Sequence, residues 1–174
     1  MIFMKTLKRI LLAGTIFLII SSQAIAQRIA TVDVTVVLES LSDYKAAQTE
    51  LDQVSAQWRR QISEKYDKIK GLYNKYQAEQ VLMSEEMSAQ KEDEILAREK
   101  EVRDMQKDKF GPEGALFQKR RDLVQPIQDR VYGVIEDFAN DKGYDFILDK
   151  SSTAGLIFAN ERYDKTEEIM SALK

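Results

Sequence analysis

The sequence of 174 residues contains no cysteine and no histidine. Without cysteine the chain cannot form disulfides, bind a metal through thiolates or use a thiol as a nucleophile. Without histidine it lacks the commonest general base and the commonest metal ligand. Composition alone therefore rules out a zinc enzyme and a Ser-His-Asp hydrolase, and we expect a protein that is not an enzyme and that has no cofactor and no metal.

Proline and glycine are scarce, with two prolines and seven glycines in the whole chain. Proteins built mainly from loops or from many-stranded sandwiches need more of both. Charged residues make up 32% of the sequence, and alanine, glutamate, lysine, glutamine and leucine are abundant, which is typical of long helices. We therefore expect a chain that is mostly helical.

Residues 1–26 have the layout of a secretory signal peptide. An apolar run over residues 10–20 leads to the small-x-small cleavage signal Ala24-Ile25-Ala26, and it is preceded by three basic residues, Lys5, Lys8 and Arg9. The apolar run is shorter than the roughly 20 residues that a membrane-spanning helix needs, and no cysteine follows it for lipid attachment. We expect cleavage after Ala26.

Cleavage at that point would change the net charge from −3 to −6, because three basic residues and no acidic residue would be lost. A chain this acidic lacks the basic face that nucleic acid phosphates demand. We therefore expect no nucleic acid partner. Since disulfides are also excluded, stability has to come from packing or from association of chains.

The mature chain begins with a short part, residues 27–43, that we assign to a small body. Residues 28–34 are rich in β-branched side chains and predict a strand. Residues 36–41 then fit a short helical turn, and Ser42-Asp43 offers a helix start in front of Tyr44.

Residues 44–142 predict a long helical hairpin. Between Tyr44 and Phe110 there is no proline and one glycine. Apolar side chains recur there every three or four residues, as on one face of a helix; they are Leu51, Val54, Trp58, Ile62, Tyr66, Ile69, Tyr73 and Tyr76. The pattern lapses after Met83, and Ser84 is followed by two acidic residues as at a helix start. We therefore place the tip of the hairpin at residues 82–84.

The returning helix contains two expected interruptions. Residues 110–114 hold one proline and two glycines, which predicts a break. Such a break either lets the hairpin bend or is a rigid, packed kink. Pro126 predicts a second interruption, at which a new helical segment would begin.

Residues 143–174 predict the second half of the body. Gly143 is placed as a left-handed helix cap, residues 144–149 and 155–159 predict strands, and Asp164 precedes a short terminal helix. The fold class is thus α+β and mostly α, with three strands in each chain. Three strands make a thin sheet with exposed edges, so we expect several chains to associate through it.

Across its mature length the sequence resembles the Skp/OmpH family of periplasmic chaperones. The resemblance rests on the opening strand Ile29-Ala30-Thr31-Val32-Asp33, on the long charged hairpin, and on residues 136–149, which end Lys142-Gly143-Tyr144-Asp145-Phe146-Ile147-Leu148-Asp149. The interruption at 110–114 and the sequence Leu123-Val124-Gln125-Pro126-Ile127-Gln128 are similar to Bacteroidetes-type members.

The resemblance implies a homotrimer shaped like a jellyfish, in which three hairpins hang as tentacles from a shared body. It implies a periplasmic holdase that works without ATP, binds unfolded outer-membrane proteins and prevents their aggregation. The best-studied members are basic, whereas this mature chain is acidic. Contact with a membrane or with lipopolysaccharide therefore stays open.

Two sets of residues are candidates for these roles. Because the strands have no other partner, we expect a trimer body core formed by Ile29, Val32, Phe146, Leu148, Ile157 and Phe158. Aromatic side chains and methionines offer adaptable contact surface, so the possible client contacts are Trp58, Tyr66, Tyr73, Tyr76, Met83 and Met87. The same aromatic stripe fits simple packing against the returning helix. The alternative function is a periplasmic coiled-coil spacer or scaffold.

Overall fold

The computed structural model describes residues 27–151 and 156–174, so the predicted signal peptide and residues 152–155 lie outside the described residues. The elements in chain order are β1 (Ile29–Val32), α1 (Val34–Ser40), α2 (Ser42–Glu79), α3 (Glu85–Phe110), α4 (Ala115–Lys142), β2 (Phe146–Asp149) and α5 (Thr166–Ala172). Short 3-10 turns occupy Gln80–Leu82 and Glu161–Tyr163. The prediction of a mostly helical α+β chain is confirmed.

The sheet of the described chain has two strands. β1 and β2 run parallel, with Ile29 opposite Phe146 and Val32 opposite Asp149. The other edge of β1 is covered, because the Lys165 amide donates a hydrogen bond to the Thr31 carbonyl at 2.8 Å. Within residues 27–151 and 156–174, β2 has no strand on its outer side.

The prediction of a third strand at 155–159 is wrong for the single chain. Residues 156–159 have no regular secondary structure, and Ile157 is 99% and Phe158 80% exposed. A strand forms only where its backbone can make hydrogen bonds to a neighbouring strand. The far edge of β1 is already covered by the Lys165 amide, and residues 156–159 do not pair with the open edge of β2 in the single chain either.

One hydrophobic core holds the body together. It draws on β1, α1, α4, α5 and the first turns of α2, and its buried side chains are Val32, Val34, Val37, Leu38, Ala47, Leu51, Val124, Ile127, Val131 and Ile169. Two ion pairs tie the start of α2 to α4, between Asp43 and Arg130 at 2.7 Å and between Glu50 and Lys119 at 2.6 Å. The beginning of the long helix is therefore part of the body.

A second and separate core joins α2 to α3 in the hairpin, which we call the arm. Its buried side chains are Ile62, Ile69, Tyr76, Ile95 and Val102. They are seven residues apart along each helix, the spacing that keeps one side chain facing a partner helix every two turns. α2 has 38 residues and is therefore roughly 57 Å long at about 1.5 Å per residue.

The hairpin turns at Gln80–Leu82, and α3 begins after Ser84, whose hydroxyl accepts a hydrogen bond from the Met87 amide at 3.3 Å. α3 ends at a tight turn over residues 111–114. A Cβ atom on Gly111 would overlap the Lys107 carbonyl oxygen, and one on Gly114 would lie 2.9 Å from the Asp108 carbonyl oxygen. Both positions therefore require glycine.

Pro126 does not interrupt the helix that contains it, so that prediction is wrong. α4 continues from Ala115 to Lys142 with Pro126 inside it. Proline removes one amide donor and crowds the preceding turn. Pro126 is exposed, so solvent can satisfy the carbonyl that loses its partner. The helix ends at Gly143, which has φ 65° and is the left-handed cap that its position predicts.

The segment before α5 is tied to the body by Asp164. Its carboxylate accepts hydrogen bonds from Lys150 Nζ at 2.5 Å and from the Thr166 amide at 3.0 Å. Burial by itself would raise the pKa of Asp164, but the hydrogen bonds from Lys150 and Thr166 outweigh it and lower the pKa to about 2. The charged form is therefore stabilised in the folded chain.

Gly111→Ala should destabilise the protein by about 2 kcal/mol, because the new methyl group meets a backbone carbonyl that cannot move away easily. Gly133→Ala is the matched control, since a Cβ there would meet nothing within 4 Å and alanine stabilises a helix interior by about 1 kcal/mol. Urea unfolding at one protein concentration measures both. Equal effects of the two substitutions would contradict the tight turn.

Asp164→Asn should lower the free energy of unfolding at pH 7 by on the order of 1 kcal/mol, a value reduced for the partial exposure of the pair. Because folding depresses this pKa, the contribution is fully present above about pH 4 and is lost as the pH falls to about 2. Urea unfolding of both proteins across this range tests the claim. A difference that stayed constant down to the lowest pH would refute it.

Candidate functional site

The arm exposes apolar side chains that its own core does not use. They are Tyr66, Tyr73, Val81, Leu82, Met87 and Leu96. Val81 is 92% and Leu82 88% exposed at the tip. Scattered apolar side chains are ordinary on a protein surface, but Val81 and Leu82 are adjacent and almost fully exposed, so we take the arm as the candidate site.

The six predicted client contacts divide between exposed and packed positions. Tyr66, Tyr73 and Met87 are exposed, whereas Tyr76 is buried in the arm core. Trp58 and Met83 are half-buried. Part of the stripe therefore packs against α3, as in the packing interpretation, and part is exposed, as client contact would require. Client contact itself stays a prediction.

Helical geometry explains this division. The buried positions Ile62, Ile69 and Tyr76 face α3. Tyr66 and Tyr73 each follow a buried residue by four positions, which rotates them by about 40° from it. They lie on one face of α2, two turns apart, beside the arm core and open to solvent.

The exposed residues Val81, Leu82 and Leu96 were not among the predicted contacts. Val81 and Leu82 could have been found from the sequence, because an apolar run at the tip of a hairpin has no helix to pack on. Leu96 follows the buried Ile95 directly. Its exposure could not be predicted without knowing which residue of this pair faces α2.

A polar network closes the hairpin just below the tip. The Tyr76 hydroxyl donates to Glu92, lies 2.8 Å from the Ser88 hydroxyl, and accepts from Gln80 Nε2 at 2.8 Å. The hydrogen bond to Glu92 raises the pKa of Tyr76 above its usual range. The network therefore joins the end of α2 to α3 close to the tip of the arm.

An open groove of about 790 Å³ runs between α2 and α3 beside Gly71. Its apolar lining comes from Ile69, Leu72, Val102 and Met105. Its rim carries both signs of charge, and Lys65 reaches across to Glu101 at 2.6 Å. The hydrogen bond from Lys65 lowers the pKa of Glu101.

Charges of both signs cover the rest of the arm. Residues 44–109 contain 13 basic and 14 acidic side chains. Several form exposed pairs one turn apart, such as Lys100 with Asp104 at 2.9 Å and Arg103 with Glu99 at 3.3 Å. Exposed pairs contribute little to stability, so their main effect is to keep a nearly neutral, soluble surface.

The predicted trimer body core divides in a similar way. Val32 is fully buried within the chain, while Ile29, Phe146, Leu148, Ile157 and Phe158 are exposed. Ile29 and Phe146 are paired across the sheet, and Leu148 is two residues from Phe146, so these three side chains share the outer face of the sheet. Their role between chains stays a prediction.

Among residues 27–151 and 156–174, none of the helices combines the length and apolar content needed to cross a bilayer. Over the same described ranges, no group of three or more acidic side chains is arranged to hold a metal ion.

Comparisons with known proteins identify the family. The family described as outer membrane protein (OmpH-like) matches residues 28–173. A search of curated proteins finds no match. A solved structure from Caulobacter crescentus, named as an OmpH-like outer membrane chaperone, is similar in fold: it is 11% identical, with a TM-score of 0.68 over 85% of this chain and 84% of that chain. Because the family match covers residues 28–173 of the 174-residue chain, this protein belongs to the OmpH-like family.

Proposed function

We propose that this protein is an ATP-independent holdase chaperone that binds unfolded outer-membrane proteins in the periplasm and prevents their aggregation. The observation that carries the proposal is the arm, a two-helix hairpin whose core uses one side chain every two turns and leaves other apolar side chains in solvent. Membership of the OmpH-like family and the fold shared with a protein named as a chaperone support it.

Clients are held through many weak contacts. The exposed apolar residues are dispersed, from Tyr66 near the middle of α2 to Val81 and Leu82 at the tip. The groove beside Gly71 is open and its rim has mixed charge. Such a surface grips no single side chain tightly, so an unfolded chain is released one contact at a time, without nucleotide.

Three chains assemble through the body. The outer side of β2 has no strand in the described chain, and the outer face of the sheet shows Ile29, Phe146 and Leu148. The neighbouring residues Ile157 and Phe158 also lie in solvent. Association covers these surfaces and places three arms around one cavity, where each contact acts at the high effective concentration set by the others.

The predicted signal peptide and the acidic net charge are consistent with a periplasmic chaperone. Residues 1–26 direct export, and the mature chain has a net charge of −6. A nearly neutral arm attracts clients mainly through apolar contacts, so salt weakens binding less than it would for a basic relative.

Phe146→Asp should dissociate or unfold the trimer, because it places a charge in the interface between chains. Tyr132→Asp is the matched control, since Phe146 and Tyr132 are each 52% exposed in the single chain and Tyr132 belongs to α4, not to the sheet. Sedimentation velocity measures both. A wild-type protein that sediments as a stable monomer would overturn the proposed assembly.

Shortening the arm should weaken client binding more than any single alanine substitution does. Deleting residues 66–72 together with residues 94–100 removes two turns from each helix and keeps the helical phase, because seven residues make about two turns. The Tyr76 network and the pair between Lys65 and Glu101 fall outside the deletion. The trimer should therefore remain folded.

Light scattering of an unfolded β-barrel outer-membrane protein, diluted from urea, measures the protection from aggregation. Tyr66→Ala, Tyr73→Ala and Met87→Ala should each retain most of the protection, while the shortened arm should lose it. If one alanine substitution abolished protection with the trimer intact, the dispersed-contact mechanism would be wrong. If the intact wild type gave no protection, the spacer or scaffold function would replace the chaperone.

A further inference from the structure

The body core and the arm core are separated by a gap along α2. Leu51 is the last buried residue of α2 in the body core, and Ile62 is the first in the arm core. None of residues 52–61 is buried. The half-buried side chains among these ten residues are Val54, Ser55 and Trp58, so Trp58 is the largest side chain through which this part of α2 makes tertiary contact.

An aromatic contact lies within this gap. The rings of Trp58 on α2 and Phe110 at the end of α3 are 6.1 Å apart and nearly perpendicular, at 83°. Edge-to-face pairs of this kind are favourable beyond the area that they bury. Lys109 Nζ lies 4.7 Å from the centre of the Trp58 ring, and the Arg59 guanidinium lies 5.9 Å from that of Phe110. Each cation faces the negative face of a ring.

Phe110 is the last residue before the tight turn over residues 111–114. The Gly111 amide donates to the Lys107 carbonyl at 2.8 Å, and the Gly114 amide donates to the Gly111 carbonyl at 2.9 Å. Together with the close approaches at both glycines, these bonds give the turn one packed geometry. Fixing Phe110 against Trp58 therefore also fixes the direction in which α4 leaves α3.

We propose that Trp58 and Phe110, with Lys109 and Arg59, form a clasp that couples the arm core to the body core and sets the direction of the arm. Trp58 is thus a positioning residue, not a client contact. The contact between Trp58 and Phe110 controls the bend of the arm, and the turn over residues 111–114 moves together with Phe110. When the clasp opens, residues 52–61 lose their tertiary support and the arm moves relative to the body while both cores stay folded.

Hydrogen exchange of the full-length mature protein, without client, tests the coupling. An aromatic pair of this geometry changes a local opening equilibrium by about tenfold. Trp58→Ala should therefore accelerate exchange about tenfold in residues 52–61 and 103–118. Exchange in residues 85–100 of the arm and 124–142 of the body should not change. Trp58→Phe, which keeps an aromatic ring, should restore most of the protection.

Tyr66→Ala is the matched control, because Tyr66 lies two turns further along α2, is aromatic and is exposed. It should leave exchange in residues 52–61 and 103–118 unchanged. Phe110→Leu removes the other half of the clasp with an apolar residue that helices accept well. It should reproduce the effect of Trp58→Ala, and it keeps the test decisive if that variant does not fold.

The direction of the arm can be measured directly, because the chain has no cysteine of its own. Spin labels at Gln90→Cys on the arm and Glu136→Cys on the body, diluted with unlabelled chains, report one distance within a chain. The wild type should give a narrow distribution, and Trp58→Ala should replace it with a broad one while helix content is kept. Neither measurement involves a client, so failure of the proposed function leaves the clasp standing.

Two results would overturn the clasp. The first is a wild-type distance distribution as broad as that of Trp58→Ala, since the joint would then be free with the aromatic pair in place. The second is unchanged exchange in residues 52–61 and 103–118 in both Trp58→Ala and Phe110→Leu.

Discussion

The single stripe of buried side chains between α2 and α3 determines which other residues of the arm are exposed. Each helix contributes one buried side chain every two turns. Ile62, Ile69 and Tyr76 come from α2 and Ile95 and Val102 from α3, with partly buried Met105 and Phe110 packed beside them. Two helices packed along one stripe leave most of their circumference in water. The arm therefore needs charged residues for solubility, and any further apolar residue, such as Tyr73, remains available to another chain.

The same constraint explains why charge and apolar surface are interleaved. Pairs such as Lys65 with Glu101 cross this stripe but are exposed, and such pairs contribute little energy. They balance the charge without forming a strongly charged face. A surface of this kind attracts no particular sign of charge. In the proposed trimer, affinity for an unfolded chain therefore comes from the number of contacts that three arms offer together.

Local sequence signals predicted the helical elements well, and partner-dependent features poorly. Ser84 caps α3 and Gly143 caps α4, because both act through their own backbone neighbourhood. The apolar stripe predicted α2 but not which residues it buries, since Tyr66 and Tyr76 have the same chemistry and differ only in their angle to α3. The expected strand at 155–159 depends on a backbone partner that the single chain does not offer at β1. α4 continues through Pro126 because this residue is exposed, and its exposure depends on the fold and not on the neighbouring sequence.

A parallel sheet is normally covered on both faces, and two strands alone are too few for a stable sheet. Here one face packs on the body core, while Phe146 and Leu148 on the other face meet solvent in the single chain. In the proposed trimer the stability of the body therefore depends on association, and so on protein concentration. α2 and α4 share that body core, and α2 continues into the arm. Assembly of the proposed trimer therefore also supports the base of each arm, which links the integrity of the trimer to the geometry of the surface proposed to hold clients.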